Sequence, residues 1–323
     1  MTTQHMRAPS VEGIHAAAAK IAQILPETPL LPLEVNGQTV WCKAEVLQPV
    51  GAFKIRGAWH RLSDLSPEEA AKGVVGVSSG NHAQGVAWAA RRLGIPAIIV
   101  MPNDAPKVKL EATAAMGATI VTYDRPGGED RDEAAAAVLA RTGGTLVHAY
   151  ADPWVIEGQG TAGLALSAQM KQWAGGAPTR IVTPCGGGGL TAGLALACAD
   201  AEIIPVEPEG WDDVGRSLAT GTIQKVSPDA PATLCDALQT PATRDINFAI
   251  LKERCAYALW VSPAEVAEAQ RLAFRQLRLV VEPGGAAALA AVLAGKAPMD
   301  GRTAVMLTGG NTDAAAFAKV LAG

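Results

Sequence analysis

The chain has 323 residues, too many for one small core and enough for one large or two medium domains. Hydrophobic residues make up 49% and charged residues 18%, which excludes disorder as the main state; with aromatics at only 4%, the core has to be built from Ala, Val, Leu and Ile. A net charge of −4 with no run of basic residues gives a nucleic-acid partner little electrostatic support, and no apolar stretch approaches the roughly 20 residues of a membrane span.

Met1 to Gly13 carry no apolar segment, so no signal peptide is expected. Next, Val74–Val77, Ala97–Met101, Thr119–Tyr123 and Leu146–His148 read as buried strands, with helices at Ala83–Leu93, Pro106–Met116 and Asp130–Thr142 between them. A second set follows, with strands at Ile181–Pro184, Ile203–Glu207 and Ala304–Leu307 and helices at Thr161–Trp173, Thr191–Ala199, Ala264–Leu277 and Ala286–Ala294. Ser66-Pro67-Glu68-Glu69 and Ser262-Pro263-Ala264-Glu265 have the form of capping boxes, each with Pro at the first helical position. Strands alternating with helices imply right-handed βαβ units and parallel sheets, here two doubly wound sets with a cleft between them. The five cysteines (Cys42, Cys185, Cys198, Cys235, Cys255) form no C-x-x-C pair and fit a reduced, cytoplasmic protein.

Four segments stand where chemistry is expected. Gly186-Gly187-Gly188-Gly189-Leu190-Thr191-Ala192-Gly193 follows a strand and opens a helix. Backbone N–H groups can converge there on a phosphate, helped by the helix N-terminus; the alternative is a turn with close helix packing. It lacks the Lys-Ser/Thr of a P-loop, which speaks against triphosphate hydrolysis. In Gly51-Ala52-Phe53-Lys54-Ile55-Arg56-Gly57-Ala58, a lysine between two apolar residues is a candidate desolvated nucleophile toward an aldehyde, or else a surface lysine at a helix start. Ser78-Ser79-Gly80-Asn81-His82 and Thr308-Gly309-Gly310-Asn311 put small polar residues at strand ends, as ligand loops or as a helix cap and a turn.

Together, in this order and spacing, these segments resemble the serine/threonine dehydratase and serine racemase family of fold-type-II pyridoxal-phosphate enzymes, from Thr28-Pro29-Leu30 to the Thr308 segment. The resemblance implies an α/β fold of the tryptophan-synthase-β kind, two doubly wound open-sheet domains with the cofactor in the cleft. The large, cofactor-binding domain would comprise residues 1–65 and 149–323, and the small, substrate-binding domain residues 66–148. It implies that Lys54 holds pyridoxal 5′-phosphate as a Schiff base and that Phe53 packs near the ring. Asn81 would bond the ring's 3′ oxygen, Gly186, Gly187, Gly188 and Gly189 would bind the phosphate, and Thr308 would face the pyridine nitrogen. Ser78, Ser79, Gly80, Asn81 and His82 would hold the substrate carboxylate, with Ser79 also a catalytic candidate as a second base. Members near serine racemase bind Mg²⁺ or Ca²⁺ through positions matching Glu207, the Trp211 carbonyl and Asp213; the alternative is a solvated acidic loop.

The expected activity is dehydration of L-threonine, L-serine or a related β-hydroxy amino acid to a 2-oxo acid plus ammonia, with Lys54 as the Cα base. Alternatives are a serine racemase using Ser79 and a threo-3-hydroxyaspartate dehydratase selected by Arg131, which otherwise reads as a surface ion pair. A non-catalytic binding protein for a phosphorylated metabolite is the rival from another class, and it has no need of an amine at Lys54. The expected partner is a small amino-acid substrate, with no nucleic acid or membrane, and the expected assembly is a homodimer.

Overall fold

The alternation of short apolar runs and longer helical runs folds into two sheets. The structure is a computed structural model that describes residues 7–323 apart from Ser79, Pro106, Arg125 and Pro126. In chain order the strands are β1 (Leu30–Val35), β2 (Gln38–Ala44), β3 (Val74–Val77), β4 (Ala97–Pro102) and β5 (Thr119–Tyr123). They continue with β6 (Thr145–Val147), β7 (Arg180–Pro184), β8 (Glu202–Pro208), β9 (Leu259–Val261) and β10 (Thr303–Leu307). The helices begin with α1 (Val11–Ile21), α2 (Lys54–Leu62), α3 (Pro67–Lys72), α4 (Asn81–Leu93), α5 (Lys107–Ala115), α6 (Arg131–Thr142) and α7 (Pro153–Trp173). After them come α8 (Gly189–Ala197), α9 (Asp213–Thr220), α10 (Asp245–Arg254), α11 (Pro263–Leu272), α12 (Pro283–Leu293) and α13 (Ala314–Ala322).

One sheet has the order β1-β2-β10-β7-β8-β9 and is parallel except for the β1–β2 pair; the other has the order β5-β4-β3-β6 and is parallel throughout. Parallel strands need both faces covered. On the six-stranded sheet one face packs on α11 and α12 through residues such as Val266 and Leu289, and the other on α7, α8 and α10 through Leu166, Leu194 and Leu251. On the smaller sheet α2 and α4 cover one face through Leu62 and Val86, and Val138 of α6 packs on the other.

Both capping boxes form as the sequence suggests: Ser66 and Ser262 each accept the N–H three residues on, and Glu69 and Glu265 reach back. Three differences have physical causes. The β1–β2 hairpin was not expected; it turns on Asn36 and Gly37, both with positive φ (50° and 76°), the pattern of a two-residue hairpin turn. The expected helix Thr161–Trp173 begins eight residues earlier, at Pro153, with Asp152 capping Val155. Glycines obscure that first part, and they are there for packing: a Cβ on Gly158 would lie 2.5 Å from Gly57 Cα, so α2 and α7 meet backbone to backbone. The expected helix Ala264–Leu277 is α-helical only to Leu272, then widens into a π-turn over Ala273–Leu277 that ends at Arg278 in the left-handed region. Among the described residues no helix is long and apolar enough to cross a membrane.

Candidate active site

In open parallel sheets ligands bind where the strand order reverses, beyond the carboxyl ends of the strands. The larger sheet reverses between β7 and β10, and the smaller between β3 and β6. The loops after these four strands line one cavity of about 210 Å³. The tetraglycine segment comes from β7, Thr308 from β10, Ser78 to His82 from β3, and Ala149 and Tyr150 from β6.

Lys54 is the first residue of α2 and points into this cavity, where its Nζ donates to Ala149 O at 2.7 Å. Loss of hydration on burial lowers its pKa to about 8, so about a tenth of the amine is unprotonated at pH 7, far more than for an ordinary lysine. Phe53 lies beside it, with Nζ 5.2 Å from the ring centroid. The segment before Lys54 is tied to the β10 loop: Phe53 N donates to Thr308 O at 3.0 Å, and Gly310 N to Gly51 O at 2.9 Å. The two motifs thus fix each other's position across more than 250 residues of chain.

Asn81 opens α4 and is held on both sides of its amide. Its Nδ2 donates to Glu282 Oε1 at 2.6 Å and its Oδ1 accepts from Asn311 Nδ2 at 2.8 Å. A carboxylate can only accept, so Glu282 fixes which end of the amide is nitrogen and leaves a second N–H for a ligand oxygen. Asn311 also donates to Val50 O at 2.8 Å, joining the segments of Lys54, Asn81 and Thr308.

Two helix N-termini face the cavity. At α8 the cap is Gly188, with φ of 86°, a conformation that disfavours a side chain. A Cβ on Gly187 would sit 2.4 Å from the Tyr150 ring, so the cradle closes on packed side chains as well as opening to a ligand. The close packing of the sequence reading is present here. The first-turn N–H groups have no intrahelical acceptor and suit a phosphate. At α4, with Gly80 as cap, the first N–H groups likewise suit a carboxylate, and Ser78 Oγ accepts from Gly80 N at 3.1 Å. His82 Nε2 donates to Val147 O at 2.8 Å, and burial, then the nearby Lys54, push its pKa down to about 3, so it is neutral. Thr308 is buried at the cavity wall, and its neutral hydroxyl suits an unprotonated ring nitrogen. Ser79, the candidate second base, lies outside the described residues.

Sequence reasoning missed Glu282, Tyr150, His148 and Arg244. Tyr150 walls the cavity, with its hydroxyl 3.1 Å from Ala242 O. His148 Nδ1 accepts from Ala151 N at 2.9 Å, and burial, then Arg244 and Arg131, lower it to about 4. No motif marked these residues, although the loop after β6 was findable as the second strand end at a switch point. Arg131 lines the cavity wall; its guanidinium also pairs with Asp132 at 3.3 Å, so the surface pair and the cleft position coexist.

Away from the cavity, Glu207 and Asp213 are buried together, at 1% and 2% exposure. Glu207 accepts from Val214 N at 2.9 Å and Gly215 N at 2.8 Å, and Asp213 from Thr243 N at 3.1 Å. Burial, then the charge of Asp213, raise Glu207 well above the usual carboxylate range; burial raises Asp213 to about 7. The Trp211 indole donates to Pro231 O at 2.7 Å. The oxygen-only donors suit a hard cation. Among the described residues, however, no cluster of three His, Cys, Asp or Glu side chains could hold a metal, so the structure alone does not support the expected Mg²⁺ or Ca²⁺.

A family model described as pyridoxal-phosphate dependent enzyme matches residues 21–309. An L-threo-3-hydroxyaspartate ammonia-lyase of Pseudomonas sp is 38% identical over 327 residues, covering 98% of this chain and 100% of that protein. A solved threonine deaminase from T.th. is 42% identical with a TM-score of 0.85, covering 94% of this chain and 99% of its own. Maize serine racemase is 32% identical with a TM-score of 0.88, and 98% of each chain is covered. The lysine at the floor of the cavity, the glycine cradle and the paired switch points therefore have a common explanation: the chain belongs to the pyridoxal-phosphate-dependent enzymes of fold type II.

Proposed function

We propose that the protein is an ammonia-lyase that dehydrates threo-3-hydroxyaspartate to a 2-oxo dicarboxylic acid and ammonia. The observation that carries the choice among β-hydroxy amino acids is Arg131, a guanidinium in the wall of a cavity whose α4 N-terminus already suits the α-carboxylate. A second carboxylate on the substrate gives Arg131 a partner; the methyl group of threonine does not. The similarity to a hydroxyaspartate ammonia-lyase over the whole length supports the same reading.

Pyridoxal phosphate supplies the electron sink that makes the Cα proton acidic. The chain's own groups do the rest. The α8 N-terminus binds the phosphate, and Asn81, oriented by Glu282 and Asn311, presents its amide N–H to the ring oxygen. The α4 N-terminus orients the substrate carboxylate, and Lys54, with its lowered pKa, removes the Cα proton. Loss of the β-hydroxyl as water and hydrolysis of the remaining C–N bond give the 2-oxo acid and ammonia. Ammonia release from threo-3-hydroxyaspartate, L-threonine and L-serine tests the reading. We expect kcat/KM for hydroxyaspartate to exceed that for threonine by about 10²-fold and Arg131→Ala to erase most of that margin, as loss of a charged pair implies. Equal or better turnover of threonine by the parent overturns it.

If the resemblance extends to a divalent cation, Glu207, the Trp211 carbonyl and Asp213 would hold it: the two carboxylates are buried and oxygen donors suit a hard cation. Mg²⁺ or Ca²⁺ should then raise the melting temperature, and Asp213→Ala should abolish the rise. A parent protein whose melting temperature ignores both the cations and a chelator removes the cation from the reading.

A further inference from the structure

Arg131 lines the cavity, and a second guanidinium, that of Arg244, stands near it across a shared carboxylate. Arg131 opens α6 on the side of the smaller sheet, and Arg244, the residue before α10, approaches from the side of the larger one. Asp132 stands between them, with Oδ1 3.3 Å from Arg131 Nε and Oδ2 3.6 Å from Arg244 Nη2. The charge of Arg244 also acts on the hydroxyl of Tyr150, which walls the cavity. Both guanidiniums depress the protonation of His148, Arg244 more strongly, so both fields reach the segment just after β6. Two cations and one carboxylate thus stand together beside the cavity. That carboxylate is bound weakly: Asp132 is 53% exposed and Arg244 51%, and ion pairs this exposed are held loosely.

Resting on the hydroxyaspartate reading, we propose that Arg244 is a second specificity residue, which together with Arg131 takes the distal carboxylate of the substrate. In the free protein Asp132 stands in for that carboxylate. A dicarboxylic substrate displaces it and is gripped from both sides of the cleft, whereas a monocarboxylic substrate leaves the Arg–Asp–Arg bridge as it is. Selectivity then arises because the two arginines sit on different sheets and only a ligand with a second carboxylate spans them.

The test compares KM and kcat for threo-3-hydroxyaspartate and L-serine in the holoenzyme and in Arg244→Ala, Arg244→Lys, Arg131→Ala and Asp132→Asn. Arg244→Ala should raise KM for hydroxyaspartate about tenfold, the equivalent of ~1.4 kcal/mol, leave its kcat nearly unchanged, and leave KM for serine unchanged. Arg244→Lys should recover part of the loss, and Asp132→Asn should lower KM for hydroxyaspartate by removing the competitor. A parent with no preference for hydroxyaspartate overturns the substrate reading and this inference with it. A preference that collapses in Arg131→Ala but survives Arg244→Ala overturns the role of Arg244 alone. So does an Arg244→Ala change of equal size for both substrates, which marks a structural effect.

Discussion

The two walls of the cavity are built differently. On the larger sheet, β10 is buried at every position and β7 and β8 at all but their first residue, and the ligand-facing groups are backbone N–H and small side chains. On the smaller sheet, β5 has only Tyr123 buried, and α6 buries only Ala135 and Val138 while presenting Arg131 and Asp132. The wall suited to the cofactor is thus continuous with the core, whereas the outer part of the opposite wall is a more exposed layer that carries Arg131 and Asp132. Substitution in the first should disturb fold and cofactor binding together; substitution in the second should change substrate preference at little cost in stability.

The largest effect is expected where the two walls meet, at Lys54. Lys54→Ala should abolish the visible absorbance of the bound cofactor and lower kcat by about 10³-fold or more, since the covalent anchor and the Cα base are lost together. A variant that keeps both would detach the cavity from the chemistry. Next comes a matched pair. Gly188→Val forces a β-branched residue to a φ of 86° and aims a Cβ within 2.8 Å of Leu251 Cδ1, so it should cost about 2 kcal/mol of stability and weaken cofactor binding as well. Arg131→Ala should leave melting temperature and cofactor affinity within error while changing substrate preference. Thermal melts and cofactor titrations of the two side by side would erase the contrast between the walls if they matched.

A pH-dependent test concerns two buried lysines, Lys54 in the cavity and Lys43 in β2, each lowered by burial to about 8. Their unfolded pKa is higher, near 10.5, so between about pH 8 and 10.5 the unfolded chain holds protons that the folded chain has released. Stability of the cofactor-free protein should therefore gain from both lysines as pH rises through that window. Lys54→Met and Lys43→Met should each flatten part of the rise in denaturant melts, and a slope indifferent to both would mean that neither amine is buried as the structure has it.

Much of the site was legible because its motifs are local. A glycine run after an apolar strand, Ser-Gly-Asn-His after another and a lysine at the start of a helix are properties of short segments, and the structure brings the described members of all three to one cavity. The strands Val74–Val77 and Thr119–Tyr123 have the bounds read from their apolar runs. The β1–β2 hairpin carries a readable signal in Asn36-Gly37, and Pro32 within β1 is compatible with it because β1 is an edge strand, where proline is tolerated.

The sequence by itself determined the alternation of strands and helices, the capped helix starts and the residue types at each strand end, because these depend on neighbours a few positions away. Only the tertiary structure decided what stands opposite them. Glu282 orients Asn81 across 201 residues of chain, and Gly158 proves to be a contact surface for α2 instead of a helix breaker. Arg131 and Arg244 meet over one carboxylate although they begin helices on different sheets. Such pairings follow from the order in which parallel strands assemble, which side-chain periodicity along a single segment does not encode.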